Sequence, residues 1–544
     1  MQLPAKPLLI SAACLMIAAL MIPSCKQETK EQQVQTGRFF YVDGQTGDDG
    51  NDGRSPEQAW KTLAAVNDTE FVAGDTLLFK AGTVYQGQLK PRGSGRLVDG
   101  HPQPIVIDRY GEGDKPRIDA GGSFESALFI HNVEYWEINN LELTNKGPEP
   151  KARRKGVYVH IDDYGTASHI HLRNLYIHDV NGTCRKRDGH SGGIRWRTHG
   201  ENVPSRLNGF LVENCHIVRC ERDGIMGSGH TQRGVDWFPS LNVVVRGNLI
   251  EEVPGDGIVP ISCDGALVEH NVIRNCTRRL PQGDAAAGIW PWACNNTVIQ
   301  FNEVSDHKAP WDAQGFDSDW DCRNTLIQYN YSHDNEGGFL LICNNGGAPA
   351  NMGINTGTVV RYNISVNDGL RAFPARREEY FSPTFHISGP TKDTKIYNNV
   401  IYVPRKPDEK IDRTMIKMDN WGGPWPEDTW FANNIFYVEG ETNYDWGESK
   451  NHRFENNLFY GIHNNGPDDS NAILEDPLFV SPESAGAGWE TLKGFMLTKD
   501  SPCIGRGLPI SPGHDFWGHI LPERLPVSVG AHEFGAQLDP SHRK

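Results

Sequence analysis

Basic residues are outnumbered in this chain: 53 Lys and Arg stand against 69 Asp and Glu among 544 residues, for a formal net charge of -16. No Lys/Arg run exceeds short clusters such as Arg153-Arg154-Lys155. Nucleic acid and anionic membrane surfaces both need concentrated positive charge, so neither is an expected partner. Apolar residues are also scarce, at 38%, while Gly (58) and Pro (34) are frequent, which points to many short strands and turns rather than helices. No P-loop motif occurs, and His230, His333 and His386 lack ligand spacing, so no transition metal is assigned. Of eleven Cys, Cys14 and Cys25 fall in the leader; the remaining nine are odd in number and cannot all pair within one chain. Cys263, Cys294, Cys322 and Cys343 recur at similar places in successive repeats, and read as a stack of small buried hydrophobes.

The N-terminus carries Lys6, the apolar run LLISAACLMIAALMI (8–22) and then Pro23-Ser24-Cys25. That length followed by small residues reads as a secretory signal rather than a membrane span. Ile22-Pro23-Ser24-Cys25 resembles a bacterial lipobox, which implies cleavage before Cys25 and lipidation of its thiol. Lys26-Gln27-Glu28 loosely resembles the export signal of surface lipoproteins in Bacteroides-like bacteria. The expected organisation is a signal over 1–24, a polar tether over 25–37 and one domain over 38–540. The lipid is its one link to a membrane, the outer membrane being the expected location.

One pattern returns along the chain: INNLEL at 138, LRNLYI at 172, VENCHI at 212, VRGNLI at 245, VEHNVI at 268, IQFNEV at 299, IQYNYS at 327, VRYNIS at 360, IYNNVI at 396, FANNIF at 431 and FENNLF at 454. The shared Asn falls at 140, 174, 214, 248, 271, 302, 330, 363, 399, 434 and 457. Each unit alternates apolar and polar residues, which is a strand signal, and the variable spacing between units belongs to loops. Strand repeats that cannot bury their own apolar faces stack into a solenoid, and stacked side-chain amides can hydrogen-bond along the column. The pattern predicts an all-β chain, a parallel β-helix of about eleven recognisable coils in one domain.

Ser55-Pro56-Glu57-Gln58 supplies an N-cap, Pro at N1 and a capping-box Gln, after which Ala59, Trp60, Leu63 and Val66 share a helical face. Such a helix suits the open end of the stack. Asp48, Asp49, Asn51 and Asp52 in TGDDGNDG weakly suggest a calcium loop, with a plain turn as the simpler reading. The opening FYVDGQTGDDGNDGRSPEQAWKTL with GDTLLFKAGTVYQG, and the endings EDPLFV, SPCIGRG and VGAHEFG, resemble the pectate-lyase-like right-handed β-helix superfamily. That resemblance implies the fold; the superfamily hosts lyases, hydrolases, epimerases and adhesins.

Between the Asn strands runs a Gly-apolar column: Gly193-Ile194, Gly224-Ile225, Gly257-Ile258, Gly288-Ile289, Gly315-Phe316, Gly338-Phe339 and Gly369-Leu370. If the apolar member points inward, the residues one and three later point outward. The first outward column is then Arg195, Met226, Val259, Trp290, Asp317, Leu340 and Arg371, and the second includes Trp292, Asp319 and Ile342. Asp317 and Asp319 thus share a face with Trp290 and Trp292, and acids beside flat aromatic rings suit a sugar. Residues two apart on a strand are about 6.6 Å apart and coils about 4.8 Å. Paired carboxyls lie roughly 5–5.5 Å apart in retaining glycosidases and 6.5–9.5 Å in inverting ones. Glu336, at the start of the next coil, is a further acid within reach, and Asp312 and Asp321 shape or solvate the turns.

GFDSDWDCRNTLIQYNYSHDNEGGFLLICNNGG (315–347) resembles the active-site coils of a β-helical glycoside hydrolase family that includes β-xylosidases. The resemblance implies Asp319 as nucleophile. The family's acid/base Glu maps onto Ile342, before Cys343-Asn344-Asn345-Gly346, which leaves the proton-transfer role to Glu336, Asp317 or another acid. Trp290, Trp292, Arg371, Asp312 and Asn344 are the expected substrate contacts, and the loop DNWGGPWPEDTW (419–430) either walls a cleft or anchors itself. The expected activity is a glycoside hydrolase acting as a monomer on polysaccharide or oligosaccharide, with no cofactor required. Two alternatives stand. One is a lyase, with calcium on the Asp cluster and Lys308 or Arg371 abstracting a proton; the other is a non-catalytic glycan binder.

Overall fold

A computed structural model describes residues 37–276, 280–345, 353–372, 380–510, 512–523 and 525–542. The signal, Cys25 and most of the tether lie outside the described residues. Ile138, Leu172, Val212, Val245, Val268, Ile299, Ile327, Val360, Ile396, Phe431 and Phe454 are consecutive partners in parallel register, and all are buried. Each repeat therefore contributes one rung to a shared core, as the two-residue alternation requires. The strands fall on three faces. The first carries the column just named. The second includes Glu142–Asn145, Tyr176–Val180 and His216–Cys220. The third runs from Ser126–His131 through Lys155–Asp162, Gly192–His199, Asp223–Met226, Ile258–Val259, Phe316–Ser318, Leu340–Cys343 and Phe385–Ser388 to Thr414–Asp419. The chain is a parallel β-helix.

The Asn column is a hydrogen-bond ladder over its last eight positions. The Asn248 oxygen accepts the Cys215 N–H, and those of Asn271, Asn302, Asn330, Asn363, Asn399, Asn434 and Asn457 each accept the backbone N–H of the preceding ladder Asn. Asp469 ends the ladder by accepting the Asn457 N–H. In the three earlier coils the expectation fails by one residue. Asn140, Asn174 and Asn214 take left-handed corners (φ 56°, 54° and 54°), and the buried Leu141, Leu175 and Cys215 follow them. Asn tolerates both places, the left-handed turn and the buried amide, so the letter alone does not distinguish them.

The N-terminal helix is shorter than expected. Pro56–Gln58 is a 3-10 turn, Trp60 pairs with Val42 as a bridge, and the α-helix spans Leu63–Asp68. Asp49 fixes the start of this helix: it accepts the Lys61 and Thr62 amides and the Thr62 hydroxyl, while Thr62 accepts the Ala64 amide as N-cap. The acids of TGDDGNDG are spent this way, since Asp48 and Asp52 accept the amides of Gly50 and Arg54. Leu63 and Val66 still enter the main core with Phe40, Trp60 and Phe71.

On the third face, Ile194, Ile225, Ile258, Ile289 and Phe316 stack in the expected register. Their glycines are required by close approach: a Cβ on Gly288 would meet the Gly315 carbonyl oxygen at 2.4 Å. The next rung departs from expectation. Phe316 pairs with Leu340, not Phe339, because Gly338 at φ 105° admits one extra residue. Leu340 pairs in turn with Phe385, so the strand of the following coil is Phe385–Ser388 and Arg371 lies off the sheet.

Candidate active site

The register shift changes who faces the carboxyls. Alternation sends Asp317 and Asp319 outward, with Ser318 buried between them. Asp317 is in register with Leu341, and Ile342, where the resemblance placed an acid, lies in the core. Cys343 holds the facing position instead: its thiol donates to Asp319 Oδ1 at 3.1 Å. One carboxylate oxygen each from Asp317 and Asp319 and the Cys343 sulfur all lie within 4.8 Å of one another.

Burial governs the charge of this group. It pushes Asp317 well above the usual carboxylate range, with Asp319, Asp312 and Asp256 adding repulsion. Asp317 is 4% exposed, and its Oδ1 has no hydrogen-bond partner among the described residues. Burial also raises Asp319, to about 6; the Cys343 thiol, the Trp320 amide at 2.6 Å and Lys186 favour its ionised form. Asp319 is thus the first of the pair to ionise. Burial raises Asp312 as well. Asp312 and Asp319 are both partly exposed. Asp312 and Ala313 adopt successive left-handed conformations, φ 56° and 69°, in a chain of L-residues where neither is glycine. Such strain persists only where neighbours hold it and is concentrated at functional sites.

Arg371 is one holder. It is 1% exposed and its guanidinium donates to the carbonyls of Asp312 (2.6 Å), Phe381 (2.9 Å) and Ala309. The expected substrate contact is therefore a buried clamp on the backbone under Asp312. Glu336 stands beside that guanidinium and favours its charge. Asn344 is likewise buried: it accepts the Asp321 amide at 2.7 Å and donates to Gly353, which makes it a pin between coils. Asp321 is fully buried on Arg233 at 2.7 Å rather than solvated. Lys308 pairs with Asp306 beyond the second face.

Trp290 is 7% exposed, so its expected stacking role is curtailed. Its indole N–H donates to buried Asp256 at 2.9 Å, Asp256 pairs with buried Arg222, and Lys186 lies 5.1 Å over the ring. Trp292 is more open and meets Trp320 edge-on at 6.5 Å. In DNWGGPWPEDTW, Trp425 packs against Gly447 and Trp430 donates to Glu455, whereas Trp421 is exposed.

Several supporting residues escaped the sequence reading. Asn355 donates to the backbone oxygens of Ser318 and Asp319 at 2.6 and 3.0 Å, and Thr358 bridges Asn355 to the Ser318 hydroxyl. Lys186 arrives from a 3-10 turn far from the carboxyls in sequence. Cys263, Cys294 and Cys322 do form the expected buried stack, but Cys343 belongs to the site. Its thiol is kept protonated by burial and by the carboxyls, so it remains a donor while Asp319 titrates. Cys343→Ala is therefore expected to raise the pH at which the Asp319 carboxyl ionises, and Cys343→Ser to leave it nearly in place, as followed by carbon NMR of labelled Asp.

Residues 193–401 match the family model described as "Right handed beta helix region". A curated lacto-N-biosidase from Bifidobacterium longum subsp. longum is 27% identical over 583 aligned residues, covering 88% of this chain and 34% of that protein. The chain thus spans about a third of the length of the curated relative it matches. The crystal structure of GH136 lacto-N-biosidase from Eubacterium ramulus is 29% identical, with TM-score 0.56 over 68% of this chain and 65% of that one. Its selenomethionine derivative gives 28% and 0.56 over 74% and 68%. The chain resembles GH136 lacto-N-biosidase in both sequence and fold. The helix is right-handed, in keeping with the matching model.

Proposed function

We propose that the protein is a glycoside hydrolase acting on oligosaccharides, with a lacto-N-biosyl unit as the leading candidate for the group it releases. One observation carries this reading. Three carboxyls with raised pKa, Asp317 and Asp319 on the outward third face and Asp312 on the short strand that leads into it, lie together on a β-helix that is similar to lacto-N-biosidase over 88% of its length. Asp319, which ionises at about 6, serves as nucleophile or base. Asp312, which is partly exposed, serves as the proton donor that meets substrate, while Asp317, nearly closed off, stays protonated. Both basic residues that a lyase would need are engaged, Lys308 with Asp306 and Arg371 with three carbonyls, which supports hydrolysis over elimination. The third group of the cluster is a thiol, a poor ligand for calcium.

The test compares Asp312→Asn and Asp317→Asn on aryl glycosides of graded leaving group. The acid's variant loses rate steeply as the leaving group worsens and little on the best one. If Asp317→Asn behaves this way and Asp312→Asn does not, the donor is Asp317.

The leader and lipobox-like segment support export to the cell envelope with a lipid on Cys25. Cys25→Ser is expected to abolish incorporation of labelled palmitate; retained label would contradict the anchor.

A further inference from the structure

Beyond the carboxyls, the third face ends in a second polar and aromatic cluster. Asp317, Leu341 and His386 are partners in one outward column, so His386 stands two coils from Asp317, about 10 Å. Cys343, Ser388 and Asp419 form the neighbouring column, on the Asp319 side. Trp421 follows two residues later, 38% exposed, and meets the His386 ring edge-on at 5.5 Å. Phe381 packs on that ring at 5.0 Å.

Three features point to a ligand. Trp421 has φ 40°, a left-handed conformation rarely adopted by a bulky side chain, held by a turn in which Asn420 accepts the amides of Gly422 and Gly423. His386 is 3% exposed, and its Nε2 lies 3.6 Å from Asp419 Oδ2, too long for a hydrogen bond, with no other partner among the described residues. Asp419 Oδ1 accepts the Asn420 amide at 2.7 Å, and the carboxylate has further lone pairs with which to accept a ligand's hydroxyls.

We propose that Trp421, His386 and Asp419 form a sugar subsite, one ring removed from the bond that is cut, which receives the outer sugar of the released unit. This rests on the hydrolase reading. The Trp421 ring offers an apolar surface to the C–H face of a pyranose, and Asp419 accepts its hydroxyls. His386 Nε2 supplies the remaining polar contact. Two coil spacings separate this cluster from Asp317, the reach of a disaccharide rather than of a single sugar.

Trp421→Gly removes the ring while suiting the left-handed backbone, and Asp419→Asn removes the charge. Both are made in the full chain carrying Asp319→Asn, and binding of lacto-N-biose and of N-acetylglucosamine is measured by calorimetry. Each variant is expected to weaken lacto-N-biose about tenfold and N-acetylglucosamine less than about twofold. Equal losses for the two sugars, or none, would overturn the subsite. Failure of the hydrolase reading shows separately, as absence of hydrolysis by the unmodified protein on every oligosaccharide offered. In that case a glycan array decides: glycans retained by the unmodified chain and lost by Trp421→Gly support the subsite. Unchanged retention, or no retention by the unmodified chain, overturns it.

Discussion

Asp319→Asn is expected to lower kcat by about 10³-fold while making the protein more stable at neutral pH. The two effects have one cause. Burial raises the Asp319 carboxyl from 3.8 to about 6, so the folded protein binds an extra proton between these values. Stability associated with this group is fully present below about pH 4 and is lost as pH rises through 6, where a charge must be kept in a buried place. The Asn variant carries no such charge. Its Tm should match that of the unmodified protein near pH 3.5 and exceed it progressively up to about pH 6, then by a constant margin. Calorimetric melts across this range check the sign; a variant equally or less stable at pH 7 would mean that Asp319 is well solvated and poorly suited to its role.

The largest loss of stability is expected from the amide ladder. Asn330 Oδ1 accepts both the backbone and side-chain N–H of Asn302, at 3.0 Å each, and its Nδ2 donates to the Ile299 carbonyl and to Asn363. Asn330→Leu fills similar space but strands these groups away from water, at about 1–3 kcal/mol apiece, for a total of about 4 kcal/mol. Asn140→Gly, at a left-handed corner in an early repeat, is expected to change stability little, because Gly suits that backbone. Urea midpoints for the two variants test the distinction; equal losses would contradict it.

That contrast also marks how far the sequence could be read. The period-two alternation of units such as IQFNEV and IQYNYS gives the inward column and, with it, the helix, since each inward residue has only its counterpart in the next coil to pack on. The same Asn letter serves a buried ladder at Asn302 and a half-buried left-handed turn at Asn140, and only neighbouring coils separate the two. The outward placement of Asp317 and Asp319 follows from a strand of known phase. The next coil's phase was lost at Gly337-Gly338, where one extra residue moves Ile342 into the core and Cys343 to the site. Arg371 was misplaced for a related reason: it precedes the next strand by more than ten residues, and a guanidinium can clamp carbonyls as well as meet a sugar. Lys186 and Asn355 come from connecting segments of irregular length, where no period constrains position.

The most direct measurement digests oligosaccharides that end in a lacto-N-biosyl unit with the protein lacking its leader, with and without chelator, and follows reducing ends together with ultraviolet absorbance. Chelator-insensitive release of reducing sugar without new absorbance, abolished by Asp319→Asn, is the predicted result. Calcium-dependent appearance of an unsaturated, absorbing product, or release that survives Asp319→Asn, would contradict it.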